Sequence, residues 1–226
     1  MSKLREALGR SPFWARVAPF ILFVSLTSLQ GKFGLSYYGV YCAKTFVGVF
    51  LIWLIWPVVT EMRWALSWEA VVVGIFVAVF WVGLDPWCPK WFGIDHVWNP
   101  YADLGKMGET GSKWALVYVI IRSAGSTLVV PHMEEVFFRS FLYRYVMKVD
   151  FLSVSLNHFN VRSFLITSIL FGLEHGNQWI AGILCGFCYQ WLVLRKNRLG
   201  DAMTAHAISN LLLGVYVAWK GQWQFW

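Results

Sequence analysis

Long apolar stretches separated by short polar segments divide this chain into predicted helices. A membrane-spanning helix needs roughly 20 mostly apolar residues, and a backbone in lipid has to satisfy its own hydrogen bonds, which favours helices. Two of the eight stretches, Glu134–Met147 and Phe164–Glu174, are too short to cross a bilayer comfortably. The predicted helices are Phe13–Leu29, Tyr37–Val59, Trp68–Leu84, Trp114–Val130, Glu134–Met147, Phe164–Glu174, Trp179–Leu194 and Ala202–Trp219.

The composition changes the picture from a generic helical protein to a membrane protein. Hydrophobic residues make up 58% of the chain and charged residues only 14%, whereas about a quarter of the residues in soluble domains are charged. The 15 Trp residues carry indole rings, which favour the membrane–water boundary. We therefore predict an all-α fold, a polytopic transmembrane bundle of about eight helices. The chain should be an integral, multi-pass membrane protein, with the lipid bilayer as its first partner.

The positive charge does not indicate nucleic-acid binding, although the formal net charge is +7. The basic residues lie in short clusters beside apolar stretches, at the N-terminus and in Arg195-Lys196-Asn197-Arg198. Such clusters usually mark cytoplasmic loops. Both clusters should then lie on one side, but eight full crossings place them on opposite sides. A partial crossing by Glu134–Met147 would remove this conflict, and the orientation stays open.

The longest polar interval covers residues 85–113 and is rich in proline and aromatic residues. It is too long for a tight turn, so we expect an ordered cap at one membrane face. We expect one structural unit with two parts. Residues 1–113 would supply N-terminal transmembrane helices and this aromatic loop, and residues 114–226 a helical core that carries an intramembrane polar site.

Ionisable residues within apolar helices are costly and usually functional, and the first such cluster is Glu134-Glu135-Val136-Phe137-Phe138-Arg139. Glu135 and Arg139 are four residues apart and can pair on one helix face. Glu134 points about 100° away from that face. A carboxylate in a partly dry site is a candidate general base. The alternative is an interfacial helix whose acidic residues complement the helix dipole.

Two further clusters lie on other predicted helices. Phe171-Gly172-Leu173-Glu174-His175-Gly176 ends one apolar helix, where a lone histidine is often only an interfacial group. His206 and Asn210 are four residues apart on the last helix, hence about 6 Å apart on one face. This pair could bond a neighbouring helix or present two donors to an oxyanion.

Together, the ordered set Glu-Glu-x-x-x-Arg, Phe-x-x-x-His and His-x-x-x-Asn resembles the type II CAAX prenyl endopeptidase family over roughly residues 114–219. One departure is Ser140, at a position where glycine is common in that family. The resemblance implies that Glu134 activates water with help from His175, and that His206 and Asn210 stabilise the oxyanion. Glu135 and Arg139 would orient the helix. The implied activity is hydrolysis, without a cofactor, of a peptide bond near the C-terminus of a membrane-anchored protein or peptide, prenylated or carrying a sorting tag.

Several alternatives stay open beside this hypothesis. Glu134, His175 and His206 could bind zinc with a free fourth position, although no His-Glu-x-x-His motif is present. The chain could be a non-catalytic membrane protein for bacteriocin immunity or protein-sorting assembly. A proton-coupled transporter is the third alternative, but an inverted repeat of interrupted helices is not apparent. The Trp-rich N-terminal half and Trp98-Asn99-Pro100-Tyr101 suggest an exosortase-associated bacterial subgroup.

Overall fold

The computed structural model of the chain describes residues 2–89, 103 and 109–226. These residues form eight helices and no strand. The helices are α1 Ser2–Arg10, α2 Pro12–Thr27, α3 Tyr37–Ile55, α4 Trp68–Leu84, α5 (109–145), α6 Val161–Glu174, α7 Trp179–Lys196 and α8 Gly200–Lys220. The predicted polytopic helical bundle is confirmed.

The structure contains candidate membrane spans, but it describes only a small part of the predicted aromatic cap. Among the described residues, four segments are long and apolar enough to cross a membrane: Tyr37–Ile55, Trp68–Trp87, Gly111–Tyr145 and Gly200–Lys220. Much of the predicted cap, with Trp98-Asn99-Pro100-Tyr101, lies outside the described residues.

Short polar side chains set the helix starts. A side-chain oxygen at the N-cap accepts a hydrogen bond from the backbone N–H three residues later, which satisfies a donor that the helix itself leaves unpaired. At the other end, α7 and α8 stop at residues with left-handed backbone, Asn197 (φ 51°) and Gly221 (φ 66°). The N-cap residues are Ser11, Ser36, Ser67 and Asn160, at the starts of α2, α3, α4 and α6.

One prediction about the helices was wrong. Trp114–Val130 and Glu134–Met147 are not separate helices but parts of the long helix α5. The helix continues through Pro131 because its ladder shifts to wider, π-helical turns at Gly125–Val129 and again at Val136–Leu142. The count of eight is restored by α1, a short basic helix that the apolar pattern did not predict.

Ion pairs between helix ends and the segments that connect the helices show that helices α2 to α8 alternate in direction. At one end of the bundle, Arg16 at the start of α2 pairs with Glu61 after α3, and Glu61 also pairs with Arg144 near the end of α5. At the same end, Lys196 near the end of α7 pairs with Glu69 at the start of α4. We call this end, formed by residues 2–16, 56–69, 144–162 and 195–204, the basic end.

The merging of the two predicted helices resolves the conflict over topology. Seven alternating helices, α2 to α8, bring the N-terminal basic cluster and the Arg195–Arg198 turn to the basic end. Since Lys and Arg collect on the cytoplasmic side, the basic end is expected to face the cytoplasm and residue 226 the opposite side.

Reporter fusions in a bacterial host test this orientation. Alkaline phosphatase, which folds only outside the cytoplasm, should be active when fused after Trp226 and inactive when fused after Asn197. Green fluorescent protein at the same positions should give the reverse pattern. Active phosphatase at Asn197 would contradict the arrangement.

Candidate active site

The candidate site centres on Glu135, which is fully buried in the middle of the bundle. Its Oε2 lies 3.3 Å from Nε of Arg139, one turn along α5, so the predicted pairing is present. Its Oε1 lies 2.9 Å from Nδ1 of His206 on α8. One carboxylate thus connects a guanidinium on its own helix to an imidazole on another helix.

Aromatic rings enclose the Arg139 guanidinium, which is only 1% exposed. Its central carbon lies 4.1 Å from the centre of the Phe171 ring on α6 and 5.6 Å from that of Tyr189 on α7. The negative faces of aromatic rings attract a cation, more strongly where water is excluded. Arg139 therefore links α5 to α6 and α7 as well as neutralising Glu135.

Glu134 approaches the same imidazole from its other nitrogen. Its Oε2 lies 3.8 Å from Nε2 of His206, and within the described part of the chain this oxygen has no hydrogen-bond partner. The side chain is nearly buried. His206 therefore has Glu135 at Nδ1 and Glu134 near Nε2. The imidazole beside Glu134 is thus that of His206, whereas the resemblance implied that His175 helps Glu134 to activate water.

The His206 ring is held in a fixed plane. Tyr189 stacks on it, with ring centres 5.0 Å apart and an interplanar angle of 18°. The Tyr189 hydroxyl is 2.6 Å from the Ser209 hydroxyl, which donates to the His206 carbonyl at 2.8 Å. Sequence reasoning missed Tyr189, because a single tyrosine in an apolar stretch carries no spacing signal. Ser209 lies inside the His206–Asn210 motif but was given no role.

His175 follows the last residue of α6 and is held by its own backbone. Its Nδ1 lies 2.7 Å from the Phe171 carbonyl oxygen. Because a carbonyl only accepts, Nδ1 is the donor, and in the neutral ring Nε2 keeps a lone pair. The Trp81 ring on α4 makes a T-shaped contact with the His175 ring, with centres 5.1 Å apart. His175 is thus oriented as a proton acceptor.

Asn210 occupies a position that the irregular ladder of α5 creates. In the π-helical turn, Val130 donates to the carbonyl of Gly125, five residues earlier. If this spacing of five residues continued, the N–H of residue 131 would donate to the carbonyl of Ser126, but Pro131 has no N–H. Nδ2 of Asn210 supplies the missing donor, at 2.8 Å from the Ser126 carbonyl oxygen. This bond uses one of the two amide N–H groups of Asn210 and fixes α8 against α5.

A small cavity brings three of the predicted residues together. It has a volume of about 30 Å³ and is lined by His175, His206 and Asn210, among others, with Trp81 and Val77 on the α4 side. A cavity of roughly 10–15 Å³ already holds one water. Glu134 does not line this cavity, and its connection to it is the His206 ring.

The zinc alternative does not fit the observed side chains. In the part of the chain that the structure describes, no three His, Cys, Asp or Glu side chains are arranged to hold a metal ion.

Residues 112–212 match the family model described as type II CAAX prenyl endopeptidase Rce1-like. The matched segment contains all six residues predicted for the site, and the resemblance inferred from the motifs is confirmed over it. That family is a family of proteases. Searches of curated proteins and of solved structures found no match. Fold and match together define a polytopic helical membrane protein with an Rce1-like segment.

The close contact of α6 with α7 at Gly172 predicts that a larger side chain there destabilises the protein. A Cβ on Gly172 would lie 2.3 Å from Ile183 Cγ1 and 2.6 Å from the Trp179 carbonyl oxygen, whereas one on Gly83 in α4 meets nothing within 4 Å. Gly172→Ala should therefore destabilise the protein by about 1–3 kcal/mol through overpacking, and Gly83→Ala should not. Unfolding in detergent micelles measures both, and equal stability of the two variants would contradict the packing described.

Proposed function

We propose that this chain is an intramembrane, glutamate-dependent endopeptidase. The observation that carries the proposal is the contact of a buried carboxylate, Glu134, with an imidazole, His206, that lines a water-sized cavity together with a second imidazole, His175. Buried ionisable residues are rare in membrane helices and usually functional. The protease match over residues 112–212 supports the same conclusion.

In this proposal, Glu134 is the general base. Glu134 does not line the closed cavity, so the opening that admits substrate also has to bring the cavity water to Glu134. That water then attacks the carbonyl carbon of the scissile peptide bond as its proton passes to Glu134, and Nε2 of His175 accepts the water's other hydrogen bond. The proton then passes to the leaving amine when the C–N bond breaks. General acid–base catalysis of this kind needs neither a serine nor a cysteine nucleophile.

His206 and Asn210 are proposed to stabilise the tetrahedral oxyanion. Glu135, held by Arg139, accepts from Nδ1 of His206 and so fixes the ring, and the imidazolium form of His206 would donate to the oxyanion through Nε2–H. Asn210 keeps one amide N–H beyond the bond to Ser126. Donors that are fixed before the reaction stabilise developing charge at little cost of reorganisation. Tyr189 and Ser209 position the His206 ring.

The substrate is proposed to be a membrane-anchored protein or peptide that is cut near its C-terminus. Two observations support entry from the bilayer. The cavity wall includes Val77 and Ala78 of α4, while their neighbours Phe76 and Val79 face outward, 52% and 69% exposed.

A cavity of about 30 Å³ is too small for a peptide, so α4 or the Trp81 side chain has to move when substrate binds. Prenylated and sorting-tagged tails both fit this description, and the membrane is proposed to be the bacterial inner membrane.

Replacing the base tests the proposal. Glu134→Gln keeps the size of the side chain but removes its ability to accept a proton, and should lower peptide-bond hydrolysis by roughly 10²–10⁴-fold. Mass spectrometry of the termini of membrane proteins, in cells carrying wild-type or Glu134→Gln protein, measures the products.

The matched control is Asp150→Asn, which removes a carboxylate that is exposed outside the cavity. It should leave the set of termini unchanged, and both variants should insert in the membrane in wild-type amounts. If wild type and Glu134→Gln give the same termini, the chain is not a glutamate protease, and the non-catalytic alternative replaces this proposal.

A further inference from the structure

A second polar cavity lies at the basic end and shares no lining residue with the cavity at His175 and His206. Its volume is about 480 Å³, within the range of about 300–1,000 Å³ that is usual for ligand sites. Three separate parts of the chain form its walls: the junction of α1 and α2, the segment between α3 and α4, and the end of α5 with the turn that follows. The lining side chains include Arg16, Val58, Thr60, Glu61, Arg144 and Leu152.

Two buried guanidinium groups share one carboxylate at this cavity. Arg16 and Arg144 are 4% and 5% exposed. Glu61 Oε1 lies 2.7 Å from Nη2 of Arg16 and 3.0 Å from Nη2 of Arg144. Burial raises the pKa of Glu61, but Arg16 and the hydrogen bond from Ser140 outweigh this effect and hold the pKa below its ordinary value. Glu61 is therefore ionised at neutral pH, and the three groups together carry one uncompensated positive charge.

Both arginines also keep donors for a ligand. Within the described residues, Nη1 of Arg16 donates only to the Pro12 carbonyl, at 3.1 Å, and Nη1 of Arg144 only to that of Val154, at 3.4 Å. Each Nη1 carries two N–H groups, so one remains on each arginine. Two N–H donors and one surplus positive charge are suited to a phosphate oxygen.

The depth of the cavity indicates where such a phosphate would come from. Tryptophans surround the basic end and are partly exposed, and tryptophan in membrane proteins concentrates at the level of the lipid headgroups. The cavity therefore lies at the depth of the phosphates of one leaflet, the one expected to be cytoplasmic. These residues are Trp14, Trp53, Trp64 and Trp68, between 40% and 71% exposed.

We propose that this cavity binds the headgroup of an anionic phospholipid, with its phosphate between Arg16 and Arg144. Basic pockets between helices at the cytoplasmic face are suited to such headgroups. The centre of the cluster is Ser140, whose hydroxyl donates to Glu61 and accepts from Nε of Arg16 and Nη2 of Arg144. Ser140 is also the position at which the chain departs from the family motif. A bound lipid would hold α2 and the α3–α4 segment against α5.

The test uses Thr60, which lines the cavity but is exposed, so its replacement leaves the arginine network intact. Thr60→Glu places a negative charge in the cavity, and Thr60→Gln is the neutral control of the same length. Native mass spectrometry measures phosphatidylglycerol binding to the detergent-purified protein. One charge near a membrane surface contributes about 1 kcal/mol, so Thr60→Glu should weaken binding roughly fivefold, and Thr60→Gln should stay near wild type.

Two further measurements test whether the weaker binding is specific to the cavity and whether the ligand is a lipid. Arg162→Gln removes an exposed charge at the same end and should change binding less than Thr60→Glu. Inorganic phosphate, added without lipid, should not raise the unfolding temperature as phosphatidylglycerol does. Equal binding by Thr60→Glu and Thr60→Gln, or an equal loss in Arg162→Gln, would overturn the site. Equal stabilisation by inorganic phosphate would overturn the assignment to lipid.

Discussion

The structure depends on the neutralisation of one buried charge, that of Glu135. An unpaired charge inside a bilayer costs several kcal/mol, and Glu135 is fully buried. Arg139 and His206 each take one of its oxygens. Because these partners lie on α5 and α8, the same interaction sets the register of the two helices and turns Nε2 of His206 toward Glu134. The packing that makes the bundle stable thus also assembles the candidate site.

Much of the fold could be predicted from the sequence, because apolar length and helix spacing are local properties. The pairing of Glu135 with Arg139 followed from their separation by one turn. The continuity of α5 did not, since Pro131 normally ends or kinks a helix. Here a π-helical turn precedes the proline, and Asn210 on a distant helix satisfies the carbonyl of Ser126. A compensation supplied by tertiary structure leaves no trace in a local pattern.

The candidate site, like the fold, has features that local sequence predicts and features that depend on tertiary packing. The motifs identified which helices carry chemistry, but the nearest imidazole to Glu134 depends on how three helices pack, and it is that of His206. Tyr189 had no signal at all. The two polar cavities also have different chemistry: imidazoles and an amide line the inner one, and paired guanidinium groups line the one at the basic end. The first suits proton transfer, and the second suits a fixed anion.

The central claim is that one imidazole lies between two carboxylates inside the bilayer. Solid-state NMR of the protein in lipid bilayers, with ¹⁵N-labelled histidine and ¹³C-labelled glutamate carboxyl groups, measures it directly. We expect dipolar contacts from Nδ1 of His206 to Glu135 and from Nε2 to Glu134, each lost in the matching Glu→Gln variant. A His206 ring with contacts to neither carboxyl carbon would contradict the account.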